Sequence, residues 1–317
     1  MPLHAVIQTA LAAAVGMPAY YELPIAEARA QAKKGYPANP SPVPVGAVRD
    51  VIIPGPAGVI PVRLYTPTGP GPHPLVVFFH GSGFVLLDLD THDDICRRLC
   101  AGASCLVASV DYRLAPEYKF PAAPDDCLAA TRWLAANAAE FNGDPNRIVV
   151  AGDSAGGCLA AVTALRIRDE GGPALLGQLL FYPVTDYPST PRDSYRAFGA
   201  GYGLTSQGML WFWHQYLADV SEADHHLASP LRTRVPAGLP STCVLTAEYD
   251  VLHDEGMAFA HMLREAGVPA IARSYAGMNH GFLKYAGVLE EAGAAVEDAC
   301  RWLREVTQAD APGASHG

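Results

Sequence analysis

The chain has 317 residues and a formal net charge of −10; 50% of its residues are hydrophobic and 17% are charged. That apolar content suits a large core and excludes disorder, and the acidic balance, with no Lys/Arg cluster to offset it, excludes a nucleic-acid partner. The length fits one α/β catalytic unit carrying an accessory part.

The first stretch, HAVIQTALAAAVG, has no Lys or Arg before it and is interrupted by Gln8 and Thr9, so it reads as an amphipathic helix rather than a secretory leader. No run approaches the ~20 apolar residues of a membrane span, and a soluble, cytoplasmic protein is expected. A proline-rich stretch, YPANPSPVPVG, follows. AVRDVIIP and IPVRLYTP are then separated only by a GPAG turn and should pair as a hairpin. LVVFFHG, CLVASVDY, RIVVAGD, GQLLFYP, STCVLTAEYD and PAIARSYAG have the continuous apolar centres of parallel strands covered on both faces. Helical stretches at 124–139, 155–170, 255–266 and 289–306 lie between or after them, the alternation of an α/β architecture.

Residues 1–45 and 187–236 break this alternation and are expected to form a helical cap over a core made of 46–186 and 237–317. Within the second piece, GLTSQGMLWFWHQYL reads as a helix capped at Thr205 or Ser206, with Trp211, Phe212, Trp213 and Tyr216 clustered on it. The closing TQADAPGASHG reads as a frayed tail. Seven cysteines, an odd number scattered through apolar runs, suggest buried free thiols in a reducing compartment; a zinc site at Cys96 and Cys100 lacks two further ligands nearby.

The chemistry centres on Gly152-Asp153-Ser154-Ala155-Gly156, a G-x-S-x-G turn directly after a strand and directly before a helix. Glycines allow a tight turn there, the hydroxyl of Ser154 is exposed at the strand's end, and the helix N-terminus favours developing negative charge. A serine hydroxyl needs a general base. Among eleven histidines, His280 in AGMNHGF follows the last strand and is the candidate, whereas His4, His92, His225, His226 and His316 read as structural. The imidazole needs a carboxylate to fix its tautomer. In LTAEYDVLHDEG, Asp250 follows the strand immediately, while Asp254 and Glu255 fall on the first helical turn and read as capping residues. The order Ser, Asp, His is that of α/β-hydrolases. In FFHGSGFV, the backbone N–H groups of Gly81 and Ser82, with that of Ala155, are expected to bind the oxyanion, each worth roughly 10²–10³ in rate.

HGSGF, DYRLAPEYKFPAAPDD, GDSAGG, YDVLHDEG and NHGF resemble, in this order, the motifs of the hormone-sensitive lipase family, the bacterial family IV esterases. The resemblance covers nearly the whole chain and includes YYELPIAEAR near its start. It implies an eight-stranded, mostly parallel α/β-hydrolase sheet with a helical cap, and hydrolysis of short- to medium-chain esters through an acyl-enzyme on Ser154. It supports Ser154, Asp250 and His280 as the triad, requires no cofactor or metal, and suggests a homodimer through an edge strand. Asp153 marks the GDSAG branch, and Ser82 stands where the family usually has glycine. Gly83, Phe84, Phe198, Tyr202 and Leu204 are expected to contact substrate. Two alternatives share the scaffold: an amidase or peptidase, and a non-catalytic binder like the plant gibberellin receptors, which lack a working histidine.

Overall fold

The computed structural model describes residues 1–189 and 192–308; the expected tail beyond Gln308 lies outside them. One eight-stranded sheet organises the chain, with strands β1 (Ala47–Gly55), β2 (Gly58–Thr66), β3 (His73–Phe79), β4 (Leu106–Val110), β5 (Gly143–Asp153), β6 (Leu175–Phe181), β7 (Ser241–Tyr249) and β8 (Ala270–Asn279). Their order is β1-β2-β4-β3-β5-β6-β7-β8. The β1–β2 hairpin forms as expected, with Gly55 opposite Gly58 across the turn, and β2 runs antiparallel to β4. From β4 through β3, β5, β6 and β7 to β8, each adjacent pair is parallel.

All of β3 is buried, and its alternation divides the core. Leu75, Val77 and Phe79 face a cluster with Cys127, Leu159 and Phe259. These belong to helices on one face: α4 (Ala122–Ala136), α5 (Ala155–Glu170) and α8 (His253–Glu265). Val76 and Phe78 face the other cluster, with Leu99 and Leu303 from α3 (Asp93–Ala103) and α9 (Glu290–Gln308). Because each central strand loses both faces to helices, its sequence is continuously apolar.

The segments outside the alternation are helical, as expected: α1 (Ala5–Ala13) and α2 (Ile25–Lys34) from the start of the chain, and α6 (Asp193–Phe198) and α7 (Ser206–Tyr216) from the insertion. They seat on the loops that leave the C-terminal ends of the strands. From α2, the Arg29 guanidinium donates to the carbonyls of Val85 and Ala115 at 2.9 and 3.0 Å and pairs with Glu117. Below α7, Lys119 Nζ donates to the carbonyls of His214, Gln215 and Leu217 at 3.0, 2.8 and 2.8 Å. A cation on the last carbonyls of a helix satisfies orphan acceptors and complements the dipole. Thr205 is the cap of α7, its hydroxyl accepting the Gly208 N–H at 2.9 Å.

Helix α1 forms, as expected, with one apolar face on the core: Ile7 is buried and Leu3 and Leu11 pack beside it, while Val6 is exposed. Its segment is also held by His4 N–H to the Gly277 carbonyl and Tyr249 Oη to the Met1 carbonyl, at 2.9 and 2.6 Å. One expectation changes. Asp254 and Glu255 do not cap their own helix. Asp254 Oδ2 accepts the Ser194 N–H of α6 at 2.8 Å, and Glu255 Oε1 accepts the N–H groups of Thr185 and Asp186 at 2.7 and 3.3 Å. Both carboxylates therefore fasten the loop after β6 and the start of the insertion. All seven cysteines are free and buried, and no helix among the described residues is long and apolar enough to cross a membrane.

Candidate active site

Strand β5 ends at Asp153 and α5 begins at Ala155, so one residue makes the turn between them. That residue, Ser154, has φ 55° and ψ −118°, a region that costs on the order of 1–3 kcal/mol and needs its surroundings to hold it. Ser154 N–H donates to the Phe181 carbonyl at 2.8 Å and its own carbonyl accepts the Val184 N–H at 3.1 Å. The flanking glycines are steric requirements. A Cβ on Gly156 would lie 1.9 Å from the Phe79 carbonyl oxygen, and one on Gly152 would lie 2.3 Å from that of Gly156.

Strands β7 and β8 bring the other two side chains to the same rim. His280 Nε2 lies 2.9 Å from Ser154 Oγ, and His280 Nδ1 lies 2.7 Å from Asp250 Oδ2. The second Asp250 oxygen accepts the Leu252 N–H at 2.9 Å, which fixes the carboxylate's orientation. Asp250 is 1% exposed and Ser154 5% exposed, so their contacts with His280 are shielded from water. Tyr182 meets the His280 ring edge-on at 4.8 Å. Next to His280, the Asn279 amide donates to the Tyr202 carbonyl at 2.8 Å and ties the insertion to the histidine loop.

The glycine-bearing loop after β3 differs from expectation at one donor. Gly81 N–H donates to Asp153 Oδ1 at 2.9 Å, so it is already committed. The N–H groups of Ser82, Gly83 and Ala155 have no acceptor among the described residues, and the free donors of this rim are therefore shifted one residue along the loop. Ser82, Gly83 and Phe84 have φ of 87°, 66° and 66° in succession, which turns the loop sharply at this point.

The residues expected to touch substrate separate into groups. Phe84 belongs to the core instead: it is 2% exposed and stacks on Tyr216 with centroids 3.8 Å apart. Gly83 lies under Phe212 of α7, whose ring leaves no room for a Cβ. Phe198 packs edge-on against Tyr202 and Tyr249, and Tyr202 stacks on Tyr249 at the end of β7. Phe198 and Tyr202 are half-buried, as is Leu204.

Three buried groups around the site have surroundings that the sequence reading did not assign them. Asp153, beside the nucleophile, faces His92 Nε2 at 3.2 Å. Burial alone would raise its carboxyl, but His92, His80 and His280 outweigh that and hold it below the ordinary carboxylate value. His80 is fully buried, stacked on Tyr112 at 4.5 Å, and burial beside His92 pushes its imidazole down to about 4. Glu255, 1% exposed, is pushed by burial up to about 8 despite the two N–H groups it accepts. Only the first had a signal available, as the variable position of a G-x-S-x-G turn filled by a charge.

The model of the alpha/beta hydrolase fold family matches residues 76–284. The chain is 45% identical over 266 residues to the carboxylic ester hydrolase LipN of Mycobacterium tuberculosis, covering 82% of this chain and 70% of that one. It is 38% identical to an ethyl acetate hydrolase of Pseudomonas putida, with 74% of each chain covered. A solved esterase of the archaeon Pyrobaculum calidifontis superposes with a TM-score of 0.92 at 39% identity, covering 96% of this chain and 99% of that one. With a Ser–His–Asp array on an eight-stranded sheet of this order, the chain belongs to the hormone-sensitive lipase family of α/β-hydrolases and is a carboxylic ester hydrolase.

Proposed function

We propose that the protein is a serine carboxylesterase acting on short- to medium-chain acyl esters through an acyl-enzyme on Ser154. The observation that carries this reading is the bridge of His280, 2.9 Å from Ser154 Oγ and 2.7 Å from Asp250 Oδ2. His280 takes the hydroxyl proton as Oγ attacks the ester carbonyl, and Asp250 holds the ring in its tautomer and stabilises the imidazolium. The carbonyl oxygen becomes an oxyanion held by the N–H groups of Ser82, Gly83 and Ala155 at the start of α5, where the helix dipole adds to the hydrogen bonds. His280 then protonates the leaving alcohol, and water repeats the sequence to release the acid. This route requires neither metal nor organic cofactor. Tyr202 and Leu204 of the cap, beside the histidine loop, are proposed to line the substrate path. The relative named for ethyl acetate supports short esters, and seven unpaired thiols suit a reducing cytoplasm.

The test is turnover of p-nitrophenyl acetate and butyrate before and after a serine-directed phosphonate. Hydrolysis abolished by one equivalent, with the label on Ser154, is expected. Undiminished turnover, or label elsewhere, would overturn the assignment.

A further inference from the structure

The oxyanion loop, three residues of which carry positive φ, is anchored by the residue before the nucleophile. Gly81 N–H donates to Asp153 Oδ1 at 2.9 Å, and a Cβ on Gly81 would lie 2.5 Å from Asp153 Oδ2, so the approach is as close as glycine permits. The same Oδ1 lies 3.2 Å from His92 Nε2. On its other side, His92 Nδ1 faces Thr91 Oγ1 at 3.0 Å and the Asp88 carbonyl at 3.4 Å. Thr91 Oγ1 also lies 2.7 Å from that carbonyl. The His92 ring is thus held on both sides, with its Nε2 against the carboxylate that anchors the loop.

An anionic Asp153 creates a conflict. It is buried and adjacent in sequence to a serine whose reaction builds negative charge nearby, and in a water-poor site like charges repel strongly. We propose that His92 and Asp153 form a hydrogen-bonded clamp that positions the oxyanion loop: Asp153 fixes Ser82 and Gly83 through the Gly81 N–H, and the Nε2–H of His92, donated to the same carboxylate, offsets the charge that this anchor would otherwise set against the oxyanion. Neither touches substrate; both are positioning residues. The inference rests on the reading that Ser82, Gly83 and Ala155 bind the oxyanion.

Four variants of the full-length chain test it: Asp153→Ala, Asp153→Asn, His92→Phe and the double variant Asp153→Asn/His92→Phe. Phenylalanine keeps the ring contacts of His92 with Tyr36, Phe78 and His80. Turnover is expressed per site titrated with phosphonate, and thermal midpoints are recorded. Asp153→Asn retains an acceptor for Gly81 and is expected to lose less than about tenfold in kcat, whereas Asp153→Ala loses roughly 10²-fold with KM within about threefold. His92→Phe also loses roughly 10²-fold in kcat by leaving the carboxylate uncompensated, and adding Asp153→Asn restores about tenfold or more. Affinity for a boronic acid that mimics the tetrahedral state should fall in parallel with kcat/KM. A structural role alone gives no rescue. A double variant no faster than His92→Phe, or Asp153→Ala with kcat within about threefold of wild type, overturns the clamp. If His92→Phe does not fold, equal kcat for the alanine and asparagine variants at 153 overturns it. Wild-type turnover that is independent of Ser154 removes the oxyanion reading itself, and the clamp with it.

Discussion

Replacing Glu255 by glutamine should flatten part of the protein's pH–stability profile. Glu255 is buried between α8 and the loop after β6, and burial pushes its carboxyl from 4.5 up to about 8. The folded chain thus holds a proton that the unfolded chain has already released between these values. This contribution is present in full below pH 4.5 and is lost as pH rises through about 8. A difference of about 3.5 units at ~1.4 kcal/mol per unit places the loss on the order of 5 kcal/mol, a large part of a typical domain's stability. Glutamine keeps a carbonyl oxygen for the Thr185 and Asp186 N–H groups and has no proton to lose. The assay is guanidinium unfolding of both proteins in half-unit steps from pH 5 to 9, comparing stabilities at each pH so that every other titrating group cancels. Wild-type stability relative to the glutamine variant should fall by several kcal/mol between pH 5 and about 8 and level off above it. A difference constant to within about 1 kcal/mol would show that Glu255 is ionised in the folded state across the range, and would refute the burial reasoning.

Other perturbations separate the roles assigned to the site. Ser154→Ala and His280→Ala should each lose on the order of 10⁶ in kcat, and Asp250→Asn roughly 10⁴, measured with p-nitrophenyl butyrate. Asp254→Asn should leave kcat within about threefold, because its carboxylate caps α6; a crippled Asp254 variant would reverse the assignment. Ser82→Gly keeps the backbone donor while removing a half-buried side chain, and it should change relative rates on α-branched against linear esters; identical profiles would refute a selectivity role. Gly156→Ala places a methyl 1.9 Å from a backbone oxygen and should give no soluble folded protein or one destabilised by more than about 4 kcal/mol, checked by thermal unfolding.

The sheet and the triad were legible because both depend on local patterns. Continuous apolar runs such as LVVFF and RIVVA mark strands covered on both faces, and a serine between glycines at a strand–helix junction has few uses beyond display. Asp250 was distinguishable from Asp254 and Glu255 by its place at the strand's end. What could not be read depends on partners distant in sequence. Whether the Gly81 N–H is free depends on Asp153, 72 residues away, and the true targets of Asp254 and Glu255 lie 60 and 70 residues away. Composition gave His92 the same standing as His225, yet one is buried against a carboxylate and the other is stacked on His226.

The rim where the triad meets also gathers strained backbone. Ser82, Phe84, Ser154 and Tyr182 all carry positive φ without being glycine, and each is bound across elements or within its own turn. Ser82 accepts the N–H groups of Val85 and Leu86, Phe84 accepts that of Ala115, Ser154 donates to Phe181, and Tyr182 donates to Leu245. At on the order of 1–3 kcal/mol each, such conformations persist only where neighbours leave no alternative. Here those neighbours are the ends of β6 and β7 and the loops after β3 and β4, themselves fixed by the sheet's register. A short hydrogen-bonded path from Ser154 to Asp250 thus depends on a large, doubly covered sheet. The helices of the insertion and of the chain's start are tied to this rim by side chains, Arg29, Lys119 and Asn279, rather than by strand pairing.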